Sequence, residues 1–182
     1  LHVDGNIKSN DLILTTDNFQ NRLANDSSFV NTLYNTLHDE QINIFDKIKQ
    51  ACFTLYAKIS NSNFICSGSF ITLNDDDLSD GLFMTAAHCV MDVVQGSVVK
   101  VSDVYITNPL NNKWISIDVN NIFYDGIADV AIIKTGIDFT NNADIPLKFS
   151  NNNPKTGDVC FICGNPGGLD NISLSQGVVR DA

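Results

Sequence analysis

The period of the apolar residues changes near residue 50. Upstream, Phe29, Val30, Leu33, Tyr34 and Leu37 fall on one face of a helix, with Ser27 or Ser28 placed to cap its first turn. A second stretch keeps spacings near three and four through Ile42, Ile44, Phe45, Ile48 and Cys52. Downstream, short apolar runs alternate with turn residues, the pattern of strands. Strands are predicted at 52–59, 63–73, 81–86, 98–107, 113–119, 121–124, 129–134, 158–163 and 172–180. Asp75, Asp76 and Asp77 read as a solvated hairpin tip between two of them. Many short strands joined by turns predict an all-β antiparallel barrel or sandwich. The Asn-rich stretch 150–153, followed by Pro154, reads as a linker between two halves. This divides the chain into a helical segment (1–50), a strand-rich body (51–150) and a shorter strand-bearing end (151–182). The helical segment fits a propeptide remnant, an interaction arm or a cover for the strands.

Composition narrows the classes of function. The 182 residues are 43% hydrophobic and 18% charged, enough for a packed core. The formal net charge is -10 and the pI near 4.4. That excess of acid argues against nucleic acid, which needs clustered Lys and Arg, and against an anionic membrane surface. No apolar run approaches the ~20 residues of a membrane-spanning helix, so no membrane insertion is expected. No signal peptide is visible, and Leu1 in place of Met predicts a processed or excised chain. Five cysteines are too few for a disulfide scaffold, and the odd count leaves at least one thiol unpaired within the chain.

Three blocks carry candidate chemistry. Phe83-Met84-Thr85-Ala86-Ala87-His88-Cys89 runs an apolar strand into two small residues, a histidine and a cysteine. Cys66-Ser67-Gly68-Ser69-Phe70-Ile71 lies about one hairpin upstream. Ala128-Asp129-Val130-Ala131-Ile132-Ile133-Lys134 places a carboxylate at the head of an apolar strand. Such a carboxylate is costly unless hydrogen-bonded, and a histidine Nδ1 proton is a suitable partner. Asp125 is the rival acid, but it precedes Gly126 in a turn, where Asp is common for local reasons. Asp92 is expected to be solvated on a short helix after the histidine, and His2 and His38, with no motif around them, at the surface.

TAAHC, preceded by CSGSFI and followed by ADVAIIK, resembles the chymotrypsin (trypsin-like) serine protease family over roughly residues 52–180. The resemblance implies a double β-barrel, with 51–150 as the first barrel and 151–182 as the start of an incomplete second one. It implies His88 as general base, Asp129 as its orienting acid, and a Cys66–Cys89 disulfide tying the histidine loop to its neighbouring strand. It implies a serine endopeptidase acting on protein or peptide substrates, with no metal and no organic cofactor. The disulfide implies a secreted or extracellular setting, or a virion surface. The runner-up is a noncatalytic module of the same fold used for binding or assembly.

The family's nucleophile lies in G-x-S-G-G. Gly164-Asn165-Pro166-Gly167-Gly168 matches that pattern with Pro for Ser, as a degenerate copy would. It also resembles an earlier landmark, the G-x-P-x-G-L turn that opens the second barrel in HtrA-like enzymes, here followed by Gly177-Val178-Val179. On this preferred reading the serine lies past Ala182. The chain alone would then be inactive, and a C-terminal companion fragment would complete the second barrel. Ser150, Ser173 and Ser175 lack the flanking glycines that let backbone N–H groups form an oxyanion hole. Cys160 and Cys163 form a C-x-x-C on a predicted strand, where positions three apart face opposite ways. Zinc would need a second close pair. Both therefore read as small buried hydrophobes, and Cys52 as buried at the helix-to-strand junction.

Overall fold

The computed structural model describes residues 7–9, 12–14, 27–73, 75–94, 97–164 and 173–180. It divides the chain into two compact units, Leu1–Ile44 and Phe45–Ala182. In the first, β1 (Ile7–Ser9) and β2 (Leu12–Leu14) form an antiparallel hairpin. Helix α1 (Ser27–Ala51) is continuous, so the two helical stretches read from the sequence are one element. It ends one residue before Cys52, which opens a strand instead of closing the helix.

The second unit is built on one antiparallel sheet. Its strands are β3 (Cys52–Ile59), β4 (Ser62–Thr72), β5 (Leu82–Thr85), β8 (Asp103–Asn108), β9 (Lys113–Ile117), β10 (Ile122–Asp125) and β11 (Val130–Lys134). Their order is β10-β11-β5-β4-β3-β8-β9, a curled half-barrel. The short β12 (Leu147–Lys148) pairs with β4 in parallel. Two hairpins stand beside the sheet: β6 (Met91–Val94) with β7 (Ser97–Lys100), and β13 (Val159–Gly164) with β14 (Ser173–Val178).

Three sequence expectations differ from this arrangement. Residues 98–107 are two strands, because Val101 turns into the core and donates its N–H to Val90 while Ser102 bonds Lys58. Asp92 lies exposed on β6, which takes the place of the expected short helix; Val93 and Val99 favour strand pairing there. The acidic run does join the two strands of the β4–β5 hairpin, but it is wound into a 3-10 helix, Asp75–Ser79, anchored by buried Leu78.

Alternation on β3 sends Leu55, Ala57 and Ile59 into the core. There Phe70 meets Phe83 and Phe139 edge-on at 5.1 Å each, and all three are fully buried. Gly68 lets β5 approach this closely: a Cβ on it would collide with the Met84 carbonyl and the Phe83 ring. Gly68→Ala is therefore expected to destabilise the fold by about 1–3 kcal/mol, because overpacking must be relieved by backbone shifts. Chemical denaturation followed by the fluorescence of Trp114, the single tryptophan, measures it.

Candidate active site

Sheet register brings the histidine and aspartate together. β11 pairs with β5 so that Ala131 stands opposite Thr85 and Ile132 opposite Met84. Continuing the antiparallel register by two places sets Asp129 opposite Ala87, beside His88. After β5 the chain makes a 3-10 turn, Ala87–Cys89, closed by the Cys89 N–H to Ala86 and the Val90 N–H to Ala87. Ala87, Cys89 and Val90 are buried, which leaves His88 as the residue of the turn that points outward. Small side chains are needed here because the turn sits directly on the core. Cys89 is joined by a disulfide to Cys66 on β4, with the Cα atoms 6.1 Å apart. The buried Thr85 hydroxyl donates to the Ser67 carbonyl at 2.8 Å, a second tie between β5 and β4.

Asp129 uses both carboxylate oxygens on one residue. Its Oδ1 accepts the His88 backbone N–H at 3.0 Å, and its Oδ2 lies 2.7 Å from His88 Nδ1. An ionised carboxylate only accepts, so the proton between them belongs to Nδ1. The lone pair of neutral His88 is then on Nε2, which has no protein hydrogen-bond partner among the described residues. The side chains are 71% and 51% exposed, so that nitrogen can be reached from solvent. Asp129 has φ = 54°, a left-handed conformation rare outside glycine and tolerated best by Asn and Asp. The backbone contact at Oδ1 was not legible in the sequence, which carries no signal for a turn folding its own N–H onto a distant side chain.

The backbone N–H of His88 is the largest cause holding the Asp129 carboxyl below its ordinary value, followed by the hydrogen bond from the imidazole. Replacing the imidazole should therefore undo only part of the depression. In a 13C titration of the carboxyl, His88→Ala is expected to raise the Asp129 midpoint yet leave it below that of an unpaired Asp. The linked stability is present above the unfolded-state value and is lost as pH falls through the depressed folded value.

The rival acid has a local task. Asp125 Oδ1 accepts the N–H groups of Ile127 at 2.8 Å and Ala128 at 3.1 Å, and these bonds hold its carboxyl below the ordinary value. Among the candidate serines, the Ser150 hydroxyl accepts from Asn152 in the loop after β12, while Ser173 and Ser175 lie on β14. His38 falls within α1, whereas His2 and Asn165 to Gly168 lie outside the described residues. No group of three or more His, Cys, Asp or Glu side chains suited to a metal ion occurs among the described residues.

A family model described as the trypsin-like peptidase domain matches residues 66–182, which include both His88 and Asp129. The chain belongs to the trypsin-like serine protease family. Among solved structures it is similar to the serine endoprotease from Yersinia pestis, at 21% identity and a TM-score of 0.52, covering 74% of this chain and 43% of that one. It is also similar to the thermostable serine protease AL20 from an extremophilic microorganism, at 13% identity and a TM-score of 0.51, covering 71% of this chain and 65% of that one. The trypsin-like chain thus spans less than two thirds of the length of either neighbour, and at these identities the likeness speaks for the fold. A search of curated proteins found no match.

Proposed function

We propose that this chain supplies the histidine base and its aspartate partner to a serine endopeptidase, and that the serine is carried by polypeptide outside residues 1–182. The observation that carries this reading is the bond between His88 Nδ1 and Asp129 Oδ2, which leaves Nε2 ready to accept a proton. In the first step Nε2 takes the serine hydroxyl proton as the oxygen attacks the substrate carbonyl. The carboxylate stabilises the imidazolium so formed, and Nε2 then returns the proton to the departing amine. Water repeats the cycle on the acyl-enzyme. Residues 51–150 serve as the first barrel and 151–182 as the opening of the second. The Cys66–Cys89 disulfide favours an oxidising compartment, and no described helix is long and apolar enough to cross a membrane.

The rival reading, a noncatalytic binding module, draws on Pro166 standing where G-x-S-G-G has its serine. Expression of the complete reading frame followed by fluorophosphonate labelling separates the two. The protease reading expects a covalent adduct on a serine within G-x-S-G-G beyond residue 182. A complete protein with no such motif and no adduct is the binding module.

A further inference from the structure

The left-handed backbone of Asp129 is held from four residues away. Strands β10 and β11 pair as far as Asp125 and Val130, which stand opposite each other in the register. Residues 126–129 between them form the turn, and Asp129 is its last residue. All four are exposed, Ile127 completely. Burial in the core therefore does not fix this turn, and its shape must come from hydrogen bonds.

Asp129 is the residue of the turn least able to tolerate freedom. Its two oxygens meet two nitrogens of one residue at once, the His88 backbone nitrogen at 3.0 Å and Nδ1 at 2.7 Å. That grip needs both the position of the Cα and the plane of the carboxylate to be set. At φ = 54° the backbone is in a region that an L-residue enters only at a cost. A loose turn would let Asp129 relax to extended backbone and carry its carboxylate away from His88.

Asp125 supplies the constraint. Its Oδ1 accepts the Ile127 N–H at 2.8 Å and the Ala128 N–H at 3.1 Å. One oxygen bonded to the N–H groups two and three residues on bends the chain tightly as it leaves the strand. Asp129 then has one fixed neighbour in Ala128 and another in Val130, the first residue of β11. A left-handed residue after a tight turn is a common way to close a hairpin loop.

We propose that Asp125 is a positioning residue for the His88–Asp129 pair, resting on the reading above of that pair as base and partner: by holding the Ile127 and Ala128 N–H groups it keeps Asp129 left-handed and aimed at His88. Asp125 acts through Asp129 and touches no substrate. What the turn requires of it is an acceptor at Oδ1, not a charge. Asn at this position should therefore serve, and Ala should not.

The test is NMR of the 182-residue chain as parent, Asp125→Ala and Asp125→Asn, reading the 13C titration of the Asp129 carboxyl and the 15N signals of the His88 ring. Loss of the Asp125 charge would by itself make Asp129 easier to ionise and lower its midpoint, whereas loss of the bonds from His88 raises it. In Asp125→Ala the midpoint is expected to rise toward that of an unpaired Asp, and the proton of the neutral ring to move in part from Nδ1 to Nε2. Asp125→Asn loses the same charge but keeps the acceptor, so the proton should stay on Nδ1 and the midpoint at or below the parent's. The Asp125 side chain is exposed, so neither substitution disturbs the core, and cooperative unfolding followed at Trp114 checks this. An Asp125→Ala midpoint no higher than the parent's, with the proton still on Nδ1, would overturn the assignment, as would Asp125→Asn behaving like Asp125→Ala. A parent ring that itself carries its proton on Nε2 would sink the pairing of His88 with Asp129, and with it any role for Asp125.

Discussion

Asp129→Asn is expected to lower kcat/KM for peptide hydrolysis by about 10⁴-fold, with little change in stability. The reason lies in how the two carboxylate oxygens are used. The amide oxygen of Asn can keep the bond that Oδ1 makes with the His88 backbone N–H. The amide NH2 then occupies the place of Oδ2, 2.7 Å from Nδ1. An NH2 group only donates, so Nδ1 must accept and the ring proton moves to Nε2. The nitrogen that should receive the serine proton is then already protonated, and no negative charge remains to stabilise an imidazolium. Steady-state kinetics of the complete protease with a peptide substrate measure the loss. An Asn variant within tenfold of the parent would mean that Asp129 is not the orienting acid.

Phe70→Ala is expected to cost about 3–5 kcal/mol, the largest loss of stability among single side-chain truncations in the half-barrel. Phe70 is fully buried and packs on three rings: Phe83 and Phe139 at 5.1 Å and Phe53 at 5.7 Å. Rings held edge-on from several sides cannot collapse into the space without losing their own contacts, so a cavity remains. The effect reaches the site, because Phe83 belongs to β5, the strand that runs into the His88 turn. Phe149→Ala is the control: that ring is 56% exposed and its removal should change stability by no more than about 0.5 kcal/mol. Trp114, edge-on to Tyr56 at 4.8 Å on the outer face, reports unfolding by its fluorescence. Equal midpoints for the two variants would contradict this account of the core.

Much of the half-barrel is legible in the chain because its strands alternate against one core. The runs around Leu55, Phe83 and Ile133 fall within β3, β5 and β11. The breaks were harder to read. Val101 and Ser102 divide the strand predicted at 98–107 because their backbone N–H groups bond Val90 and Lys58, partners far from them in sequence or set by a turn. Cys52 fits the helical period of the residues before it, yet pairing with Ser69 claims it for the sheet. The small β6–β7 hairpin and the two-residue β12 carry too few residues to show a period. For the site, TAAHC and the D-x-A-x-x-K block marked His88 and Asp129 by type and order, and the β5–β11 register supplies the reason they meet. Asp125 shows why type alone was ambiguous: its carboxylate is equally well hydrogen-bonded, but to its own turn.

The most direct measurement is 15N NMR of the His88 ring in the labelled protein, at a pH where the imidazole is neutral. It distinguishes the nitrogen that carries the proton from the one that carries the lone pair. The expected spectrum has the proton on Nδ1 in the parent and on Nε2 in Asp129→Asn. A parent ring protonated on Nε2, or one whose tautomer ignores the substitution, would contradict the central claim that Asp129 prepares His88 to accept a proton.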